Sequence, residues 1–167
     1  RAIERRDFLQ DLLALDSDTR VETARDGFLY VRAGDGTAMR FYYYPYPLVQ
    51  AEESFAEMAV ASPVDLGLMK LGAVISRGTR RDFVDLFLLC PEVPLAALLE
   101  KSLDKFGHVR DFPLQALKGL ADLSQSEGEA IPKLSRPVSW EEVESWLHGE
   151  VRSVSRQYVG LDPPAKE

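Results

Sequence analysis

The 167-residue chain contains one cysteine, Cys90, and two histidines, His108 and His148. A single cysteine excludes a disulfide framework and a multi-cysteine zinc site, and it favours a reducing compartment. The two isolated histidines do not have the spacing of metal ligands. No apolar run approaches the roughly 18 residues that a membrane helix needs, and no secretory signal opens the sequence. We therefore expect a cytoplasmic protein without a membrane partner.

Acidic residues outnumber basic residues, and the formal net charge is −7. An acidic chain repels a phosphate backbone at long range, which argues against broad, non-specific binding to nucleic acid. A local basic pocket for one nucleotide or one RNA end remains compatible with this charge. The length and the hydrophobic fraction of 46% are those of a globular domain with its own core.

The first half of the chain predicts one helix and several short strands. The turn signals Asp26-Gly27 and Gly34-Asp35-Gly36 separate alternating segments, as in an antiparallel meander. The helix covers Ile3 to Leu15, and the strands cover Val21 to Ala24, Phe28 to Ala33, Thr37 to Tyr44 and Met58 to Ala61.

The second half predicts five helices. Ser62, Thr79 and Ser139 are N-cap residues with an acid three positions later, and Gly78 and Gly107 are stop signals. The predicted fold is α+β, a small, mainly antiparallel sheet followed by a helical carboxy-terminal half. We expect a partial α/β region over 1–62, a helical region over 63–160 packed on it as one domain, and a flexible tail over 161–167.

The helix that follows Ser62 is apolar nearly all round, yet it carries Lys70 in its middle. Lys70 shares its face with the small residues Gly67 and Ala73, so another group can approach the helix closely there. A lysine on such a face must reach solvent, pair with an acid or meet an anionic ligand, because an unpaired buried charge is costly.

The next helix supplies acids and a further cation. Asp82 and Asp85 lie three residues apart on one face, and Arg77 and Arg81 flank the turn before them. This mixture suits a polyphosphate with its metal ion. Two structural alternatives stay open: Asp82, like Asp65 in the first helix, serves only as a capping residue, or Lys70 forms a structural ion pair.

The segment DLGLMKLGAVISRGTRRDFVDLFLL, residues 65–89, resembles a characteristic block of the AbiEii/AbiGii toxin family. Members have a polymerase-β-like nucleotidyltransferase fold, and several transfer nucleotides to RNA, including tRNA. The resemblance implies an NTP with Mg²⁺, an RNA or protein acceptor and a cognate antitoxin. It assigns phosphate binding to Lys70, with Arg77 and Arg81 in support. It gives Asp82 or Asp85 the role of orienting Lys70 or acting at the active site, and Asp65 a supporting role.

The family's first motif, a glycine-rich stretch followed by D-x-D on a strand, does not occur in this chain. Those carboxylates hold the metal ions in this chemistry. The one D-x-D here, Asp16-Ser17-Asp18, follows a helix without a glycine-rich lead-in and is interpreted as a loop. The metal ligands are therefore unknown. Either the motif lies upstream of Arg1, or the protein is a degenerate, non-catalytic member that binds a nucleotide or a partner.

Overall fold

The computed structural model describes residues 5–51, 53–55 and 58–159. The fold is α+β, as predicted, with a small antiparallel three-stranded sheet followed by a helical carboxy-terminal half. The chain divides into two units, Arg1–Tyr46 and Pro47–Glu167. The domain boundary at residue 62 stays a prediction, and the predicted tail lies outside the described residues.

The first unit contains a helix and a three-stranded meander. The elements are α1 (Arg5–Leu15), β1 (Arg20–Arg25), β2 (Phe28–Arg32) and β3 (Ala38–Tyr42), with the strand order β1-β2-β3. Gly27 and Gly36, at φ +67° and +88°, occupy the turns that the sequence indicated. The side chains of Leu29 and Val31 in β2 are buried, and the ring of Phe8 packs edge-on against Phe41. This alternation along β2 gives the sheet one apolar face.

The second unit begins with a strand pair and continues as helices. Its elements are β4 (Glu53–Phe55), β5 (Met58–Val60), α2 (Pro63–Ser76), α3 (Arg80–Leu89), α4 (Leu95–Phe106), α5 (Phe112–Ala121), a 3₁₀ turn (Ser124–Ser126) and α6 (Trp140–Val159). Strand β4 was not predicted, because its three residues carry no alternation of apolar and polar side chains. Among the described residues, no helix has the length and apolar character to cross a membrane.

Local capping explains the start of α2 and of α6, and a glycine explains the end of α2. The backbone N–H of Asp65 donates to the Ser62 hydroxyl, as predicted. Ser139 and Glu142 form the predicted reciprocal capping box at the start of α6. Gly78 ends α2 in the left-handed region, with φ +50°. These signals are local, so the sequence was sufficient to place them.

The core of the second unit lies where α2, α3, α4 and α5 meet. Its fully buried apolar side chains include Leu68, Leu71, Phe83, Val84, Leu86, Leu95, Leu98, Leu99 and Leu120. A Cβ atom at Gly67 would lie 2.7 Å from both δ carbons of Leu98. The close approach expected at Gly67 is therefore made by α4.

Candidate functional site

A cluster of four charged side chains forms where α2 turns into α3. Arg77 follows the last residue of α2, Gly78 turns the chain, and Thr79 is the N-cap residue before α3. Because the turn is this short, Lys70 of α2 lies beside Asp82 and Asp85 of α3. We call Lys70, Arg77, Asp82 and Asp85 the charge cluster.

Asp82 is the centre of the charge cluster, and its side chain is fully buried. Its carboxylate accepts two hydrogen bonds from Arg77, from Nε and from Nη2, both at 2.8 Å. The Thr79 hydroxyl donates a third at 2.6 Å. The paired bonds from Arg77 match the planar guanidinium to the planar carboxylate, which fixes the orientation of both groups.

Lys70 lies between the two acids and reaches solvent. Its Nζ atom is 2.5 Å from Asp85 Oδ2 and 3.5 Å from Asp82 Oδ1. The side chains of Lys70 and Asp85 are 26% and 32% exposed, whereas that of Asp82 is 0% exposed. The closest acid to the ammonium is thus the more accessible one, and an anion from solvent can compete with it.

The electrostatics of Asp82 favour its charged form. Burial is the largest single influence and raises its pKa. The hydrogen bonds from Arg77 and Thr79, with the nearby charges of Arg77 and Lys70, outweigh burial and hold the pKa at about 2. Asp82 is therefore charged at neutral pH, where it pairs with Arg77 and Lys70.

The capping interpretation of Asp82 is not what the geometry shows. Thr79 has the extended backbone of an N-cap residue, but its side chain makes no hydrogen bond to the helix backbone. Its hydroxyl donates to the Asp82 carboxylate instead. The Asp82 carboxylate therefore binds Arg77 and Thr79 side chains and does not cap the helix.

Asp65 forms a separate ion pair on the other side of α2. Its carboxylate accepts from Lys105 Nζ at 2.7 Å, and both side chains are 0% exposed. It also accepts from the backbone N–H groups of Val49 and Gln50 and from the Ser62 hydroxyl. Burial raises the Asp65 pKa, but these bonds outweigh it and hold the pKa at about 2. Asp65 therefore joins the chain before α2 to α4, apart from the charge cluster.

Arg81 is exposed, and its neighbour Arg80 makes the structural contacts. The guanidinium of Arg80 lies 4.6 Å from the centre of the Trp140 ring and donates to the Glu129 carbonyl. The backbone N–H of Arg80 donates to the Glu129 carboxylate at 2.7 Å. No sequence pattern indicates the contact with Glu129, because this residue lies 49 residues away in a loop.

The Asp16-Ser17-Asp18 segment is a turn after α1, as interpreted from the sequence. The Asp16 carboxylate accepts from the backbone N–H groups of Gly34 and Asp18 and from the Thr19 hydroxyl. The hydrogen bond from Gly34, followed by that from Asp18, lowers the Asp16 pKa. The Asp16 carboxylate therefore links this turn to the β2–β3 hairpin through hydrogen bonds.

The described part of the chain was assessed for groups of side chains that could hold a metal ion. Across residues 5–51, 53–55 and 58–159, no three His, Cys, Asp or Glu side chains are grouped so that they could hold a metal ion. Asp82 and Asp85 are two acids that already have cationic partners.

Comparison with known proteins gives one distant relative. The chain is 30% identical over 121 residues to "Uncharacterized protein aq_aa25" of Aquifex aeolicus. The match covers 71% of this chain and 57% of that protein, so the chain spans a little over half of the relative's length. No protein-family profile and no solved structure match the chain.

Proposed function

We propose that the chain belongs to a nucleotidyltransferase of the AbiEii type, which transfers a nucleotide from an NTP to an RNA such as tRNA or to a protein. The observation that supports this proposal is the charge cluster. A buried carboxylate holds two partly exposed cations at a helix turn, within the sequence block that resembles the family. The proposal includes a cognate antitoxin as a partner.

Lys70 is the residue we assign to the phosphates. Its ammonium contacts Asp85 at the edge of the cluster, so a phosphate can replace that partner while Asp82 stays beside the lysine. A lysine ammonium recognises phosphate as a compact point charge. Asp85 then gains the freedom to contact other groups of the bound nucleotide or acceptor.

Asp82 and Arg77 act as positioning residues in this proposal. Asp82 fixes the guanidinium through two hydrogen bonds, and 58% of the Arg77 side chain remains exposed. An oriented guanidinium pays less of the entropic cost of binding phosphate oxygens than a mobile one. The exposed side chain of Arg81 supplies a further positive charge near the same turn.

Mg²⁺ is part of the proposal only because the sequence resembles the AbiEii/AbiGii family. The described residues offer no cluster of three metal ligands, so the roles assigned above do not depend on a metal held by this part of the chain. When bound with an NTP, Mg²⁺ neutralises phosphate charge.

The second candidate is a degenerate, non-catalytic member that binds a nucleotide or a partner. It is favoured by the absence of a glycine-rich D-x-D motif in the sequence. In both candidates Lys70 contributes to binding. They differ in whether the protein transfers the bound nucleotide to an acceptor.

Calorimetric titration with ATP, GTP, CTP and UTP in the presence of Mg²⁺ tests the shared part. We expect at least one NTP to bind, and we expect Lys70→Ala to weaken that binding at least tenfold. The control is Lys133→Ala, which removes an equal charge from an exposed loop position. Absence of binding by the unmodified chain, or equal effects of both variants, would overturn the assignment of Lys70.

A further inference from the structure

A polar groove lies between the carboxy-terminal turn of α2 and the side of α5. Residues 74–78, including Arg77, form one wall, and Gln115, Lys118 and Gly119 form much of the other. Its volume is about 520 Å³, within the range of pockets that bind small ligands. The groove is therefore comparable in volume with pockets that hold a small ligand.

The backbone geometry brings the two walls together. A Cβ atom at Gly119 would lie 3.1 Å from Val74 Cγ1, so α5 approaches α2 closely at that glycine. Gln115, Lys118 and Asp122 are spaced three and four residues apart, which puts them along one side of α5. The side chain of Lys118 is thus directed along the same groove as Arg77.

The lining chemistry fits a phosphodiester backbone better than a nucleobase. The charged lining residues are two cations, Arg77 and Lys118, and one acid, Asp122, and the amide side chains are Gln115, which donates to the Arg110 carbonyl, and Gln125. None of the described residues that line the groove is aromatic. Proteins that bind unpaired bases usually stack them on aromatic rings, whereas backbone contacts use cations and amides.

Arg77 connects the groove to the charge cluster. It lines the groove and also holds Asp82, while Lys70 lies seven residues earlier on α2. The Lys70 ammonium and the Arg77 guanidinium approach the same Asp82 oxygen, at 3.5 and 2.8 Å, so the groove lies beside the charge cluster. The acceptor backbone would therefore lie next to the proposed NTP position, with Arg77 at the boundary between the two.

We propose that this groove binds the backbone of the single-stranded end of the acceptor RNA, with Lys118 contacting a phosphate. The proposal rests on the proposed function, because it names where the acceptor lies relative to Lys70. Because the groove would contact the RNA backbone and not the bases, we expect it to bind RNAs of different sequence. The net charge of −7 limits the attraction to this local patch.

The test measures RNA binding and nucleotide transfer separately, with the whole chain. Fluorescence anisotropy follows a labelled short single-stranded RNA in two sequences, for the unmodified chain, Lys118→Glu, Lys118→Arg and Lys133→Glu. Lys133→Glu changes the net charge equally at an exposed loop position outside the groove. Thermal unfolding checks that each variant is folded.

We expect Lys118→Glu to raise the Kd for both RNA sequences about tenfold and to lower the slope of log K against log salt by about 0.7. Lys118→Arg and Lys133→Glu should stay within about twofold of the unmodified chain. Equal effects of Lys118→Glu and Lys133→Glu, or no RNA binding by the unmodified chain, would overturn the groove assignment. Label transfer to protein without RNA binding would also overturn it.

An assay of nucleotide transfer to RNA distinguishes the groove proposal from the proposed nucleotidyltransferase function. Transfer that persists with an unchanged KM for RNA in Lys118→Glu contradicts the groove and leaves the proposed function standing. RNA binding that depends on Lys118, without nucleotide transfer, supports the groove and contradicts the catalytic proposal.

Discussion

Replacement of Asp82 by Asn removes the charge at the centre of the cluster and keeps the size of the side chain. The asparagine amide directs N–H groups toward two cations, so the hydrogen bonds from Arg77 and Thr79 cannot all be kept. We expect a loss of stability in the second unit.

The magnitude follows from the pKa of Asp82. A fall from 3.8 to about 2 corresponds to about 2 kcal/mol of favourable interaction with the charged form. Fully buried pairs lose roughly 3–5 kcal/mol when one partner is removed. The expected loss is nearer about 2 kcal/mol, because Arg77 and Lys70 are partly exposed and can regain water.

Urea unfolding at pH 7, followed by tryptophan fluorescence, measures this loss. Both tryptophans, Trp140 and Trp146, belong to the second unit, so the signal reports the unit that contains Asp82. The matched control is Asp85→Asn, because Asp85 is 32% exposed and pairs with Lys70. We expect the control to lose less than about 1 kcal/mol.

The pH dependence gives the sign of the effect. Because the folded-state pKa lies below the ordinary value, the charge of Asp82 stabilises the fold fully above about pH 4. That stabilisation is lost as the pH falls through about 2. The difference between the unmodified chain and Asp82→Asn should shrink over this range. Equal losses for the two variants, or a difference that does not change with pH, would refute the account of the cluster.

Three further outcomes follow from the same structure. Asp65→Asn leaves the buried Lys105 ammonium without its carboxylate and should cost about 3–5 kcal/mol in urea unfolding, whereas the double change with Lys105→Met should recover part of that loss. A double variant no more stable than Asp65→Asn would contradict this. Gly67→Ala should destabilise by about 1–2 kcal/mol, since its Cβ meets Leu98 and the crowding exceeds the gain in helix propensity; a rise in melting temperature would contradict the packing. Lys118→Glu should raise the Kd for single-stranded RNA about tenfold in fluorescence anisotropy.

Local signals explain which parts of the fold could be predicted. The Asp26-Gly27 turn and the Ser139–Glu142 capping box involve residues at most three positions apart, and the structure has both. The charge cluster could also be predicted, because Lys70 and Asp82 are only twelve residues apart, on two helices joined by a short turn at Gly78. In these cases the geometry of a single turn, or of two helices joined by one, brings the residues together.

Contacts between distant segments could not be predicted in the same way. The partner of Asp65 is Lys105, which lies 40 residues away in the last turn of α4, where a lysine is usually solvated. The partner of Arg80 is a loop residue, Glu129. Both depend on how helices pack in three dimensions, and a single sequence carries no periodic signal for that.

The most direct test of the proposed function is transfer of label from each α-³²P NTP, with Mg²⁺, to total tRNA and to the protein itself. The unmodified chain and Lys70→Ala should be compared at equal concentration, with Lys133→Ala as the control for a lost surface charge. We expect the unmodified chain and the control to transfer label to tRNA or to the protein, and Lys70→Ala to transfer none. Equal labelling by Lys70→Ala, or no labelling by the unmodified chain with any nucleotide, would contradict the proposal that this chain transfers nucleotides through Lys70.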